Sequence, residues 1–192
     1  MQADYSVELG REDETLEFPW ASPDGGPRYH DLKRHPEAIA EIEEAVRFPE
    51  LSEFLPTINA AAGSLETAKC DAWMSREINP EEEIFGQPCK FGSYVDLLFT
   101  DTAIRFSFEA HERFVKSVVK LLQCVPEIPA SAEFLLRRCF YHEGDDLRDG
   151  FYMTCYLFGY GLDEAKARQQ WAMALKLCSN ALAQLNARNP AL

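Results

Sequence analysis

The sequence predicts an α+β fold in which helices pack on an antiparallel sheet of about five strands. Apolar residues recur at helical spacing in some segments and alternate with period two in others. The strand-like segments come mostly in neighbouring pairs, which favours antiparallel hairpins. The predicted element order is α-β-β-β-α-β-β-α, in a single domain over residues 36–192 that follows an acidic, turn-rich arm over residues 1–35.

Two helices are predicted directly after the arm. Pro36 stands at a favourable first helical position, and the first helix ends at Phe48 because the residue before Pro49 disfavours the α region. A second, short helix carries a row of apolar residues on one side: Leu51, Phe54, Leu55 and Ile58. We expect Pro56 to cut this helix short.

Period-two alternation then predicts one strand followed by a hairpin. The strand has an apolar face: Ala68, Cys70, Ala72 and Met74. The hairpin joins Ser93–Thr100 to Ala103–Glu109 around a two-residue loop, and one of its faces is entirely apolar: Val95, Leu97, Phe99, Ile104, Phe106 and Phe108. Residues 76–90 contain Asn79-Pro80 and three consecutive glutamates, so they are predicted to form an exposed loop.

A helix, a second hairpin and a last helix complete the predicted order. Apolar residues at helical spacing over residues 114–125 predict the helix, which Pro126 ends. The second hairpin joins Phe134–Tyr141 to Phe151–Tyr160 across an acidic turn, although the first of these runs also fits a helix. Asp163 is a favourable N-cap for the last helix, whose narrow apolar seam would pack on a sheet or a partner helix: Trp171, Leu175, Cys178, Leu182 and Leu185.

The net charge of the chain disfavours nucleic acid as a partner. A net charge of −13 makes direct binding to a nucleic-acid backbone unfavourable. The acidic residues concentrate in residues 1–60, which fits either a solvated surface or a contact surface for a basic partner. No apolar run is long enough to span a membrane, and the first residues lack the pattern of a secretory signal. We therefore expect a cytoplasmic protein that binds neither nucleic acid nor membrane.

The cysteines and the acidic segments do not predict a metal or cofactor site. Six cysteines are widely and irregularly spaced, and four lie in apolar segments where a free thiol behaves as a small buried side chain: Cys70, Cys139, Cys155 and Cys178. The segment Glu143–Gly150 is better explained as a solvated hairpin turn than as a calcium loop, which is the alternative. Motifs for nucleotide, phosphate or zinc binding do not occur, so we expect no metal and no cofactor.

Two groups of residues are candidates for a functional site. Asp96, Glu109 and His111 would supply a carboxylate–histidine pair for acid–base catalysis if the first hairpin brought them together. Charged side chains on a sheet surface explain the same residues without catalysis. The second group is aromatic and would form a protein-binding surface, unless it packs in the core: Tyr141, Tyr152, Tyr156, Phe158, Tyr160 and Trp171.

The element order resembles that of class I type III secretion chaperones and of the similar YbjN-like proteins over residues 36–187. The closest local similarity runs from Phe151-Tyr152-Met153 through Gly159-Tyr160-Gly161 into the helix after Asp163. This resemblance implies a small, acidic, non-enzymatic protein, often a homodimer, that binds a polypeptide segment of another protein. The chain departs from the family in its N-terminal extension and in its long segment 76–90.

Three functional hypotheses follow from these patterns. The first is a non-catalytic cytosolic interaction module, chaperone-like or adaptor-like, that binds another protein through an apolar surface. The second is an acidic inhibitor, of the immunity-protein type, for a basic toxin or nuclease, because complementary charge speeds association. The third is a small enzyme that uses the carboxylate–histidine pair.

Overall fold

The computed structural model describes residues 1–10, 16–19, 29–143 and 146–188. These residues form a mixed six-stranded sheet with the order β1-β5-β6-β4-β3, in which β2 also pairs with β5. The strands are β1 (Gln2–Glu8), β2 (Leu16–Phe18), β3 (Leu65–Ser75), β4 (Cys89–Phe99), β5 (Ala130–Glu143) and β6 (Asp146–Gly161). The α-helices are α1 (Glu43–Arg47), α2 (Pro49–Ile58), α3 (Thr102–Arg105), α4 (Phe108–Gln123) and α5 (Glu164–Arg188), and 3₁₀ helices cover Pro36–Glu41 and Pro80–Phe85.

The sheet is mixed rather than antiparallel because residues 1–35 contribute two strands that the sequence does not predict. Both β1 and β2 pair in parallel with β5. A parallel pair needs a long connection, and the chain between β2 and β5 supplies one that contains several helices and two other strands. The described parts of the predicted turn-rich arm therefore extend the sheet.

The predicted strand Ala103–Glu109 is wrong, because these residues form α3 and the start of α4. Two helix caps lie close together here. The Asp101 carboxylate accepts a hydrogen bond from Ala103 N at 2.7 Å, and the Ser107 hydroxyl accepts one from Ala110 N at 3.2 Å. Each cap satisfies a backbone donor at a helix start, and this outweighs the period-two alternation. The strands that pair with β4 are β3 and β6.

The remaining predicted helices and strands are confirmed with adjusted bounds. The second hairpin is formed by β5 and β6, and the two long helices are α4 and α5. The first predicted helix is a 3₁₀ helix followed by α1, and Pro56 lies inside α2 without shortening it. Residues 76–90 are not the exposed loop that the sequence predicts, because they contain a 3₁₀ helix that starts at a capping box between Asn79 and Glu82, and Cys89 and Lys90 are buried at the start of β4. None of the helices in the described ranges combines the length and the apolar composition of a membrane span.

Helices α2, α4 and α5 cover one face of the sheet, which we call the inner face. Their apolar side chains and alternate residues of the strands form one buried cluster, which includes the predicted seam of α5. A side-chain carbon added at Gly159 would lie 2.0 Å from Trp171 N, and one added at Gly161 would lie 2.4 Å from Ala167 N. These two glycines therefore let the backbone of α5 pack directly on the backbone of β6.

A β-bulge divides the predicted apolar face of β3 between the two faces of the sheet. The pairing register of β3 with β4 shifts between Thr67 and Cys70. As a result, Ala68 packs on the face opposite the helices, which we call the outer face, while the later residues pack on the inner face: Cys70, Ala72 and Met74. The bulge also places Asp71 and Trp73 on the outer face, because successive side chains of a strand alternate.

The cysteines are free thiols. Cys139, Cys155 and Cys178 are buried as predicted, and Cys70 is half-buried. In the inner-face core, Cys155 Sγ lies 3.8 Å from Cys178 Sγ. Burial raises the pKa of the Cys155 thiol, so this group stays protonated and unreactive.

Candidate functional site

The outer face has two halves that differ in what covers them. At one end, Leu16 and Phe18 of the edge strand β2 pack on this face, and we call this part the strap half. At the other end, aromatic side chains of β3, β4 and β6 are half-exposed, and we call this part the open half: Trp73, Tyr94, Tyr156 and Phe158. Both halves lie opposite the helices because they use the alternate side chains of the same strands.

The strap half is a small apolar cluster. Leu16 and Phe18 of β2 are buried among side chains of the sheet: Leu98, Cys139, Tyr141 and Tyr152. The ring of Phe18 packs edge-on against Tyr29 and Tyr141, with centroid distances of 4.7 and 5.7 Å. Two apolar side chains therefore anchor this three-residue strand to the outer face.

An ion pair lies beside the strap. Arg105 Nη2 lies 2.7 Å from Glu66 Oε1, and the Tyr29 hydroxyl donates a hydrogen bond to Glu66 Oε2 at 3.1 Å. Arg105 Nε donates to the Phe99 carbonyl at 2.7 Å, and its guanidinium lies 5.0 Å from the centroid of Tyr141. Burial and the Glu66 carboxylate raise the pKa of Tyr29, so its hydroxyl remains a donor. This network fixes the strap half in place.

The open half is a continuous group of aromatic rings on three adjacent strands. The centroid of Trp73 lies 6.4 Å from that of Tyr94 and 6.2 Å from that of Phe158. The centroid of Tyr156 lies 5.9 Å from Tyr94 and 6.2 Å from Phe158, which closes the group. Gly92 lies beneath two of the rings, since a side-chain carbon there would come within 2.7 Å of Phe158 and 3.3 Å of Trp73. The rings contact each other and still remain half-exposed.

A polar cleft of about 320 Å³ lies between the two halves. In it, the Thr154 hydroxyl donates to Asp96 Oδ1 at 2.7 Å, and Asp96 is only 5% exposed. Burial and the charge of Asp96 raise the pKa of both Tyr94 and Tyr152 to about 12. Their hydroxyls therefore stay protonated at neutral pH and offer hydrogen-bond donors rather than a nucleophile.

The structure separates the six aromatic residues that the sequence predicts as a binding surface. Four are buried and none of these is more than 4% exposed: Tyr141, Tyr152, Tyr160 and Trp171. Trp171 lies on the inner face, where its Nε1 donates to Ser93 Oγ at 2.8 Å. The three buried tyrosines lie on the outer side of their strands, and Tyr152 lines the polar cleft. Tyr156 and Phe158 are half-exposed and belong to the open half.

The predicted catalytic candidates Asp96, Glu109 and His111 are not brought together. Asp96 lies on the outer face, whereas His111 lies on α4 against the inner face, 4.9 Å from the ring centroid of Phe99. His111 is fully buried and its Nδ1 lies 2.9 Å from Ser107 O. Burial lowers the pKa of His111, which is therefore a neutral core residue. Glu109 is exposed in the first turn of α4, so the three residues form no acid–base pair.

Two residues of the open half are not among the predicted binding residues. Trp73 and Tyr94 each lie on the side of a strand where period-two alternation predicts solvent. An aromatic residue at a position where solvent is predicted is the sequence signal that could have identified them as surface residues. The strap half offered no comparable signal, because its anchors pair with strand residues that are far away in the sequence.

The candidate site is the open half of the outer face with the polar cleft beside it. Its half-exposed rings and protonated hydroxyls are suited to binding rather than to covalent chemistry. Within the described ranges, no group of histidine, cysteine, aspartate or glutamate side chains is arranged to hold a metal ion. Comparisons with protein-family models, with curated proteins and with solved structures found no match to this chain.

Proposed function

We propose that this chain is a non-catalytic interaction module that binds a polypeptide segment of another protein on the open half of its outer face. The observation that carries the proposal is the closed group of half-exposed rings: Trp73, Tyr94, Tyr156 and Phe158. Continuous exposed apolar patches often mark interaction sites, and aromatic residues are enriched where proteins bind each other. Aromatic rings also supply a large contact area at a small loss of side-chain entropy.

On the strap half, apolar side chains of the outer face are covered. Leu16 and Phe18 of the edge strand β2, which pairs with β5, pack against them there. We expect a polypeptide segment of a partner to cover the rings of the open half with its own alternate side chains. The open half differs in that its rings are wider apart and its border is charged.

The proposal rests on this geometry rather than on the resemblance to secretion chaperones and YbjN-like proteins. That resemblance is one of element order, and one strand of the predicted order, Ala103–Glu109, is helical. The polypeptide-binding role that the family implies agrees with the proposal. The family also implies a homodimer, and the experiment below distinguishes a homodimer from binding of another protein.

Selection of short peptides from a random display library tests the proposal directly. The library is panned on the wild-type protein, and binders are then measured on the double variant Tyr156→Ala/Phe158→Ala. We expect affinity to fall at least about tenfold, because central aromatic residues dominate binding energy. Met173→Ala is the matched control, since Met173 is 47% exposed on α5, outside the outer face.

Two results would overturn the proposal. One is a set of peptides that bind the double variant as tightly as the wild type, provided that circular dichroism and thermal melting show both to be folded. The other is a concentration-dependent dimer of the wild type that the double variant loses, which would make a second copy of the chain the occupant of the open half.

A further inference from the structure

One row of residues across the sheet sets the chemistry of the open half. The pairing registers place Asp71 opposite Tyr94, Tyr94 opposite Tyr156, and Tyr156 opposite Glu133. The next strand adds Asp4 opposite Glu133. Two adjacent tyrosines therefore have a carboxylate on one side and two carboxylates on the other. All three carboxylate residues are exposed.

Two cations near the row are paired with carboxylates outside it. Lys90 Nζ lies 2.8 Å from Glu82 Oε2, with both side chains largely buried. Arg137 lies 2.8 Å from Glu8 Oε2 and donates to it through Nε and Nη2. A third cation, Lys69, lines the cleft together with Tyr94 and Tyr156. Neither of the two pairs includes a carboxylate of the row, Asp71, Asp4 or Glu133.

The carboxylates of this region repel each other, which disfavours the ionised form of Glu133. Partial desolvation of its carboxyl group raises the pKa of Glu133, the negative charges of Glu8, Asp4 and Glu81 raise it further, and the charge of Arg137 lowers it. These carboxylates come from three separate elements: β1, β5 and the 3₁₀ helix Pro80–Phe85. A cationic group placed beside Glu133 would relieve this repulsion, which is a form of charge complementarity.

We infer that the partner segment is cationic and presents a basic residue on each side of an apolar residue that lies on Tyr94 and Tyr156. This inference rests on the proposed function of the open half. The basic side chains would reach Asp71 at one end of the row and Glu133 at the other. The faces of the tyrosine rings also attract cations, so they favour the same partner.

The geometry of the sheet fixes the spacing of the basic residues. Asp71 and Glu133 are on strands that are three places apart, which is about 14 Å at a strand spacing of about 4.8 Å. An extended peptide advances about 3.3 Å per residue, so about four residues cover this distance. Residues four apart in an extended segment point to the same side, with one residue between them that also does so. The expected pattern is basic, any, apolar, any, basic.

Synthetic peptides test the inference. The probe carries the pattern Arg-Ser-Leu-Ser-Arg within a glycine–serine peptide, and matched peptides replace both arginines by glutamine or by glutamate. We expect the arginine peptide to bind most tightly and to weaken as salt rises, and the glutamate peptide to bind least. A peptide with both arginines adjacent to the leucine has the same charge but a shorter spacing, so we expect it to bind more weakly than the probe.

Isosteric variants of the protein locate the charge effect. Asp71→Asn and Glu133→Gln should each weaken the arginine peptide about twofold to fivefold, as expected for exposed ion pairs, and leave the glutamine peptide unchanged. Glu53→Gln is the matched control, because it removes one exposed negative charge on α2, which packs on the inner face.

The outcomes separate this inference from the proposed function. If peptides require the aromatic rings but are insensitive to Asp71→Asn, to Glu133→Gln and to salt, the cationic partner is excluded and the binding surface stands. If the arginine peptide does not bind while neutral library peptides bind through the rings, the cationic partner is likewise excluded and the binding surface stands. If binding depends on the carboxylates but not on Tyr156→Ala/Phe158→Ala, both the inference and the proposed surface fail.

Discussion

The two faces of the sheet both carry aromatic side chains, but they differ in how deeply these side chains are buried. On the inner face, three helices cover the strands and the aromatic rings are fully packed, as Trp171 is against Phe91 and Phe48. On the open half of the outer face, rings of comparable size lie half-exposed beside carboxylates. Burial makes an aromatic residue a source of stability, whereas a half-exposed ring keeps surface that a partner could cover. The aromatic composition of a strand therefore has to be interpreted together with the face on which each ring lies.

The largest effect should come from the inner face. Trp171→Ala removes a fully buried ring and its hydrogen bond to Ser93, so we expect a loss of about 3–5 kcal/mol in the free energy of unfolding. Urea denaturation measures the loss. Met173→Ala, on the same helix at an exposed position, should change stability by no more than about 0.5 kcal/mol. Equal losses for the two variants would mean that the buried ring of Trp171 stabilises the fold no more than an exposed side chain does.

The strap should give an intermediate effect. Phe18→Ala removes one of the two apolar anchors of β2, and we expect a loss of about 1–3 kcal/mol in the free energy of unfolding, because a short edge strand can detach without unfolding the inner core. Hydrogen exchange should speed up along the part of β5 that pairs with β2, Cys139 to Tyr141. Leu147→Ala, at an exposed position of β6, serves as the control. Faster exchange throughout α5 would show that the strap belongs to the main core.

A smaller change is expected from acid, through the buried His111. Its pKa is lowered by burial in the folded state, so the unfolded chain takes up a proton more readily. Stability from the neutral ring is thus fully present above pH 6.5 and falls as the pH drops below that value toward the folded-state pKa. Urea midpoints should decline less steeply in His111→Leu than in the wild type between neutral pH and about pH 5. Equal slopes would mean that His111 does not titrate on unfolding.

Local patterns predicted the elements whose signals lie close together in the chain. The hairpin of β5 and β6 follows from alternation on both sides of an acidic turn, and α5 follows from Asp163 and its apolar seam. Ala103–Glu109 failed because its alternation competes with two side-chain caps, Asp101 and Ser107, whose energy an alternation pattern does not include. The parallel pairing of β1 with β5 depends on a distant partner and has no local signal.

The candidate site was harder to predict than the fold. A row such as Asp71, Tyr94, Tyr156 and Glu133 exists only through the registers of three strand pairs, and the bulge in β3 decides whether Asp71 joins it. A shift of one residue would send its side chain to the other face. The sequence does place Tyr156 among aromatic residues of a strand, but the choice between surface and core depends on which face the helices cover.

The smallest effect on stability should come from the open half. Tyr156→Ala removes a half-exposed ring whose contacts are mostly with other half-exposed rings, so we expect a loss below about 1 kcal/mol. Trp73→Ala, on β3, should have a similarly small effect. Urea denaturation of both variants, beside Trp171→Ala, measures the contrast. If Tyr156→Ala cost as much as Trp171→Ala, the outer rings would be a second core. A small loss together with lost peptide binding would mean that these rings stabilise a complex more than they stabilise the fold.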